Sequence, residues 1–490
     1  MVLKLYNSLS KEKQEFKSLI PNLVRMYNCG PTVYSYAHIG NFRAYIFADL
    51  LRRYLEFKGY EVKQIMNITD VGHLTDDSDE GEDKLELASK KENKHPLEIA
   101  KFYTDIFLNE SKLLNIQEPF ARPKATEYVQ EMIQLIEVLL EKDFAYISNG
   151  NIYFNIEKFP EYGKLSGNNL DNLNKNRVEK DPNKKNQNDF VLWFANSKYK
   201  NHIQKWDSPW GEGYPGWHSE CCVMSAKLLS DAFKDNKFQP ELFQTLDIHT
   251  GGIDNKFPHH ECEIAQVESA TGKLFANFWL HNGWLLGTNG EKLSKSKGTL
   301  LTISNLIEEG FKPKSIRYLL LSTHYRQQLI FDRDNLKSAS NSLERLNETL
   351  IKLNDLKEER EYNESIALQV NIMMKQFEEF MDDDLNISGA LGVIFETIKT
   401  LNISMAENLI GKIQAQEIIK KFYKLDEVLG IIGELDNKIE ITKEIEILLE
   451  KRRQARENKD WETSDKIRDE LKAKGIEVRD SKEGQTIKYI

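Results

Sequence analysis

A strand–helix–strand run close to the start constrains the fold of this chain more than any other feature. The segment LVRMYNC (Leu23 to Cys29) reads as a buried strand that runs into a turn containing Gly30 and Pro31. From Asn41 to Lys58, the apolar residues Tyr45, Ile46, Leu50, Tyr54 and Leu55 recur at helical spacing, and Gly59 is placed to close that helix. VKQIMNI (Val62 to Ile68) then reads as a second strand. Two strands joined through a helix pair in parallel with a right-handed crossover. The expected fold is therefore α/β, with a Rossmann-type parallel sheet of the kind that holds nucleotides.

The rest of the chain must supply further cores, because 490 residues exceed what one core organises. Between residues 113 and 202 the alternation breaks. That stretch holds a helical run (Glu127 to Lys142), a hairpin signal at Asn149-Gly150, and an Asn/Lys-rich tract (Asn168 to Asn188) expected to be a solvated loop. We read it as an insertion in the sheet domain. The α/β pattern resumes at FQTLDIH and FWLHNGWLL, and beyond about residue 335 heptad-like spacing predicts helices over Leu336 to Leu353 and Phe377 to Leu429. A mostly α-helical bundle and a small C-terminal domain should follow the sheet.

Composition excludes some classes of function. A net charge of −10 argues against an indiscriminate polyanion binder, yet residues 451–490 carry 12 Lys/Arg against 9 Asp/Glu. The run KRRQARENKDW in that tail reads as a basic helix ending in an aromatic, a weak signal for RNA contact beside the commoner one for a solvated helix. Apolar runs are too short to span a bilayer, and no secretory signal is visible, so no membrane contact and a cytoplasmic location are expected. Sparse cysteines (Cys29, Cys221, Cys222 and Cys262) point to metal or catalytic use over a disulfide framework.

Three stretches carry chemistry. In CGPTVYSYAHIGNFRAY, His38 to Asn41 opens the first predicted helix, where backbone N–H groups and Gly40 suit a triphosphate and His38 can donate to a phosphate oxygen. In KLSKS, Lys292 and Lys295 stand with Ser294 and Ser296 on a Gly-flanked loop able to neutralise a leaving pyrophosphate. Each alone has a bland alternative: an ordinary helix start, or a flexible basic loop. No GxxxxGK[ST] motif occurs, so an ATP site would not be a P-loop. In PHHECEIAQ, a helix starting at Pro258 would put His259 and Glu263 on one face, and with Cys29 and Cys221 they would form a mixed zinc shell. Those cysteines could equally be core packing, and His259 or His260 a surface cap.

Taken together and in this order, the first two stretches resemble the HIGH and KMSKS motifs of class I aminoacyl-tRNA synthetases, with Asn41 in the last position of one and Leu293 in the second of the other. The stretches NITDVGH (Asn67 to His73), GWHSEC (Gly216 to Cys221), DIHTGGID (Asp247 to Asp254) and FPHHECE (Phe257 to Glu263) are similar to those of cysteinyl-tRNA synthetases over nearly the whole chain. Tyr214, Cys222 and Cys262 depart from the usual Arg, Ser and Asn of that family. Cys262 lies between two presumed ligands, but helix geometry turns it away from them.

This resemblance implies an ATP-dependent ligase that makes cysteinyl-adenylate and passes it to a ribose hydroxyl at the 3′ end of tRNA(Cys). It implies zinc on Cys29, Cys221, His259 and Glu263, Mg²⁺ with ATP, and no editing domain. It places Thr69, Trp217 and His249 around the amino acid. His38, Gly40, Asn41, Gly252, Asp254, Lys292, Ser294, Lys295 and Ser296 fall around ATP, with His38, Lys292 and Lys295 catalytic. Trp461 and Asp465 fall in the anticodon-contacting domain. The domains expected are two catalytic halves (1–112 and 203–300), the connective insertion (113–202), a stem-contact region (301–345), a DALR-like bundle (346–435) and an anticodon domain (436–490). A monomer is expected. A cysteine ligase of the same fold acting on an amino-sugar should lack the basic tail, and a non-catalytic RNA-binding paralogue would not need both ATP motifs.

Overall fold

The computed structural model describes residues 2–72, 74–76, 80–168, 181–195, 203–293, 301–433, 443–473, 476–481 and 484–489. Ser294, Lys295 and Ser296 lie outside them, as do His73 and the middle of the Asn/Lys-rich tract, residues 169–180. The chain divides into two units, Met1–Ile432 and Gly433–Ile490.

In the first unit, strand β1 (Leu23–Asn28), helix α1 (Ile39–Phe57) and strand β2 (Glu61–Met66) form the expected crossover, with Leu23 opposite Glu61 and Asn28 opposite Met66 in parallel register. Helix α1 starts two residues earlier than its apolar spacing suggests, because His38 caps it. Gly59 takes φ +92° just past the helix end, and its N–H donates to the Glu56 carbonyl, as a C-terminal glycine should. A 3₁₀ turn (Ala125–Tyr128) occupies the start predicted for the next helix, so α2 runs Val129–Glu141.

Strands β3 (Ala145–Ser148), β4 (Asn151–Phe154) and β5 (Phe190–Phe194) form an antiparallel sheet completed by Tyr214–Pro215. Asn149 and Gly150 both take positive φ (48° and 84°), the backbone of a two-residue hairpin turn. The central sheet is then finished by β6 (Leu246–Gly252) and β7 (Ala276–Asn282), with helices α3 (His218–Leu229) and α4 (His259–Thr271) packed near them. Its order is β7-β6-β1-β2, all parallel. The chain departs in opposite directions from β1 and from β6, which are neighbours. A crevice therefore opens beyond their carboxyl ends, where Cys29 and Gly252 lie.

Helices α5 (Arg333–Asn354), α6 (Glu364–Asp382), α7 (Ile387–Ala406) and α8 (Lys412–Leu429) follow. Their predicted apolar positions are buried, Leu336, Leu346 and Leu353 on α5 and Phe377 on α6 among them. The buried Arg317 ties this end to the sheet: it donates to Asp49 of α1 (2.6 Å) and to the Leu429 carbonyl at the end of α8 (2.7 Å).

The second unit contains α9 (Lys443–Glu457), α10 (Trp461–Ala473) and a hairpin of β8 (Ile476–Ser481) with β9 (Gly484–Tyr489). Its small core includes Leu448, Ile467, Leu471 and Ile476. The basic run is not one helix ending at Trp461. The chain turns at Lys459 (φ +58°), Asp460 accepts from the Thr463 N–H, and Trp461 opens α10.

Candidate active site and metal centre

Three chain segments meet at the floor of the crevice. Cys29 follows β1, Cys221 lies in the first turn of α3, and His259 and Glu263 share one face of α4. Pro258, expected as the first helical residue, is instead the cap of α4, which begins one place later at His259. One donor atom from each of Cys29, Cys221, His259 and Glu263 lies within 4.8 Å of all the others. The sulfurs are 4.0 Å apart, the His259 Nε2 is 3.5 Å from Cys221 Sγ, and Glu263 Oε1 is 2.8 Å from His259 Nε2. Two soft sulfurs with an imidazole and a carboxylate make a donor set that fits a tetrahedral metal such as zinc.

Neighbours hold these donors in place. His218 meets the far nitrogen of His259 (Nδ1 to Nδ1, 3.0 Å), and the Trp217 ring stacks on His259 with centroids 4.3 Å apart. Buried His249 binds the second oxygen of Glu263 (2.7 Å) and stacks on Trp279. Burial pushes the Cys29 thiol up to about 11 and Cys221 well above its ordinary value. Burial also opposes charge on Glu263 and His259. The imidazoles of His249 and His259 nonetheless keep Glu263 well below the usual carboxylate range, and Glu263 lifts His259 to about 10. The two thiols and His259 thus hold protons that a divalent cation would displace, while Glu263 is already a carboxylate.

A second combination is also within reach. His260 Nε2 lies 3.2 Å from Cys29 Sγ, so Cys29, His249, His260 and Glu263 form another possible donor group. His260 is in turn bonded to His281 (2.9 Å). Cys262 points away, with its sulfur 3.3 Å from the Tyr162 hydroxyl, and Cys222 donates to the His218 carbonyl. Both are bystanders, as helix geometry predicted for Cys262.

The crevice itself is a cleft of about 220 Å³ lined by Cys29, Gly30, His38, Asn41, Trp217 and Lys292 among others. His38 and Asn41 form a reciprocal cap: the Asn41 N–H donates to His38 Nδ1 (3.3 Å), and the His38 N–H donates to Asn41 Oδ1 (3.1 Å). Asn41 in the motif's last position therefore builds the helix end that orients His38. Gly40 serves that same ring, since a Cβ there would sit 2.9 Å from His38 Cε1 and Nδ1. The Ile39 N–H is already engaged by the Leu301 carbonyl, so it is not one of the open donors expected for phosphate. Gly252 has space around it, with only Asn255 Oδ1 near a built Cβ (3.6 Å). Asp254 and Lys292, expected at different parts of ATP, are paired with each other here, and Asp254 also accepts from Trp284 (2.8 Å).

Thr69 is buried, with its backbone bonded to Pro31 and Val33 of the loop after Cys29 and its hydroxyl bonded to Glu220 (2.9 Å). Glu220, Asn67, His218 and His260 were missed as site residues. The WHSEC, NIT and PHH stretches contained them, but only the fold shows what they touch. In the second unit, Trp461 is 56% exposed with Arg456 over its ring at 5.5 Å, and Asp465, one turn on, pairs with Arg468.

Comparisons with known proteins agree with this geometry. Residues 15–341 match the tRNA synthetases class I (C) catalytic domain, residues 376–433 the DALR domain, and residues 439–487 the cysteinyl-tRNA ligase anticodon binding domain. Among solved structures, a ternary LeuRS–tRNA–LeuAMS complex from Agrobacterium radiobacter aligns with a TM-score of 0.61 at 12% identity, covering 86% of this chain and 85% of that one. Mycobacterium tuberculosis methionyl-tRNA synthetase with methionyl-adenylate gives 0.57 at 14%, covering 87% and 94%. These likenesses establish the fold. The matched catalytic domain makes the chain a class I aminoacyl-tRNA synthetase.

Cysteine–tRNA ligases of Treponema denticola (41% identical, 98% of each chain), Chlorobaculum tepidum (40%, 99% and 98%) and Thermus thermophilus (40%, 99% and 98%) align end to end. The chain belongs to the cysteine–tRNA ligase family, and its activity is the joining of cysteine to tRNA. The amino-sugar alternative would leave the matched anticodon binding domain without a purpose. Among the described residues, no helix is long and apolar enough to cross a membrane.

Proposed function

We propose that Cys29, Cys221, His259 and Glu263 hold a zinc ion that selects cysteine by its thiolate, and that the cleft above them carries out adenylation. The observation that carries this reading is the convergence of those four donors, from three separate segments, with Cys29 lining the same cleft as His38 and Lys292. When bound, zinc supplies a soft Lewis acid that favours a thiolate over the hydroxyl of serine, a competitor that shape alone would reject by only about 1–3 kcal/mol. The set with Cys221 and His259 is preferred over the one with His249 and His260 because it offers a second thiol, a softer donor for zinc.

The chain's own residues do the rest. Trp217 and His249 hold His259 and Glu263 and close the pocket with Thr69. The cysteine carboxylate attacks the α-phosphate of ATP and pyrophosphate leaves. His38, fixed by its cap, donates to the phosphate oxygens, and Lys292 leaves Asp254 to join Lys295 against the leaving group, with Mg²⁺ accompanying ATP. Gly252, and Asp254 once released, face the adenosine. Asn41, Gly40, Ser294 and Ser296 shape the phosphate end. The 2′-hydroxyl of the terminal ribose of tRNA(Cys) then attacks the carbonyl carbon of the cysteinyl-adenylate and takes the cysteinyl group, and AMP leaves.

The proposed division of labour keeps the boundaries read from the sequence, with 301–345 contacting the stem, 346–435 the bundle and 436–490 the anticodon. The chain acts as a monomer in the cytoplasm, a reducing compartment that suits its free thiols. The test is ATP–pyrophosphate exchange with cysteine and with serine. Exchange should depend on cysteine, and equal rates with serine would refute selection through the thiolate.

A further inference from the structure

A hydrogen-bond chain runs from one thiol segment to the other through buried side chains. The Gly30 N–H, next to Cys29, donates to Asn67 Oδ1 at 2.8 Å. The two backbones also approach closely: a Cβ on Gly30 would fall 1.7 Å from the backbone carbonyl oxygen of Asn67, so only glycine fits. With its oxygen committed, Asn67 turns its amide nitrogen to Thr69, and Nδ2 donates to Thr69 Oγ1 at 3.0 Å. The Thr69 hydroxyl in turn donates to Glu220 Oε2 at 2.9 Å, and Glu220 is the residue before Cys221. Asn67, Thr69 and Glu220 are all buried.

A hydroxyl offers one hydrogen and two acceptor sites. Here the Glu220 carboxyl oxygen Oε2 takes the hydrogen, and the amide of Asn67 fills one acceptor site. Thr69 is left with a single acceptor site and no hydrogen to present. An α-ammonium group has three donors and no acceptor, so the two are complementary. We infer that Asn67 and Glu220 are positioning residues that lock the Thr69 hydroxyl as an acceptor for the substrate's α-ammonium. The chain thereby recognises the amino group from the same framework that carries Cys29 and Cys221. This inference rests on the reading of Thr69 as part of the amino-acid pocket.

The two ideas separate in one set of assays on the full-length enzyme. Cysteine KM in ATP–pyrophosphate exchange is compared with the inhibition constant of 3-mercaptopropionate, which keeps the thiol and carboxylate but lacks the amino group. Thr69→Val should raise the cysteine KM and leave the inhibitor unchanged; if it moves neither, Thr69 is not in the pocket. Glu220→Gln keeps the size but can donate as well as accept, so it no longer dictates where the Thr69 hydrogen points. It should raise cysteine KM about five- to tenfold, the effect of misorienting one charge-assisted hydrogen bond, with the inhibitor again unchanged. Asn67→Asp, isosteric at the other end, should shift the same ratio. A Thr69 effect without any Glu220 or Asn67 effect would overturn the inference and spare the pocket. Equal losses for cysteine and 3-mercaptopropionate in these two variants would also overturn it, since a general structural role acts on both ligands alike.

Discussion

Changing Gly40 to alanine should separate the helix cap from the chemistry it serves. The new Cβ would sit 2.9 Å from two atoms of the His38 ring, so the ring must swing away. That breaks the half of the cap in which the Asn41 N–H donates to the ring, at a cost of about 1 kcal/mol. Alanine in place of glycine returns about 0.5–1 kcal/mol of helix propensity, because Gly40 lies inside α1 with no positive φ to lose. The two nearly cancel, and the unfolding midpoint should move by no more than about 3 °C. Catalysis has no such compensation. Displacing a positioned catalytic group by about 1 Å should lower the exchange rate on the order of 100-fold. Thermal unfolding and pyrophosphate exchange on the same preparation measure both. His38→Ala should abolish most of the remaining effect, so that the double variant is no slower than His38→Ala alone. Normal exchange by Gly40→Ala would refute the argument that the glycine exists to make room for His38, and so would additive losses in the double variant.

Elemental analysis should find about one zinc per chain, and Cys221→Ser should lower that content together with cysteine-dependent exchange; full zinc retention would mean the ligand set is wrong. Trp461→Ala should raise KM for tRNA about tenfold through loss of one stacked base while leaving exchange intact, and ending the chain at Ile432 should show the same split more strongly. Hydrogen bonds from Arg452 hold the Asp480 carboxyl below the usual carboxylate range despite partial burial. A depressed carboxylate stabilises the folded form fully above its unfolded value of 3.8, and that contribution is lost as pH falls through the lower folded value. Hydrogen exchange in residues 443–489 should therefore loosen with acid below about pH 4, and Arg452→Gln should flatten that dependence.

The crossover at the start of the chain was legible because both signals are local: period-3.6 spacing in α1 and continuous apolar strands on either side. The hairpin at Asn149-Gly150 was legible for the same reason. Helix α2 began later than expected, because the spacing that marks a helix does not distinguish its first turn from a 3₁₀ turn. In the tail, a basic run gave no sign of the turn at Lys459, where Asp460 caps a new helix. For the site, helix geometry linked only His259 with Glu263. Cys29 and Cys221 joined them through the resemblance, since no local pattern ties residues whose meeting depends on sheet order. The pairing of Asp254 with Lys292, the role of Gly40 and the Asn67–Thr69–Glu220 chain are contacts between distant segments. No spacing rule reaches them.

The donor cluster also sets a condition on how the protein is made. Cys29 and Glu263 are separated by 234 positions, so the first thiol leaves the ribosome long before its partners exist. At roughly 5–20 residues per second, that interval is on the order of ten to fifty seconds. Throughout it Cys29 has neither the cleft nor its neighbours to shield it, and an oxidant can reach it more easily than at any later time. Fresh synthesis under oxidative stress should therefore yield more defective enzyme than the same stress applied to finished molecules, whose thiols are already packed between α3 and α4.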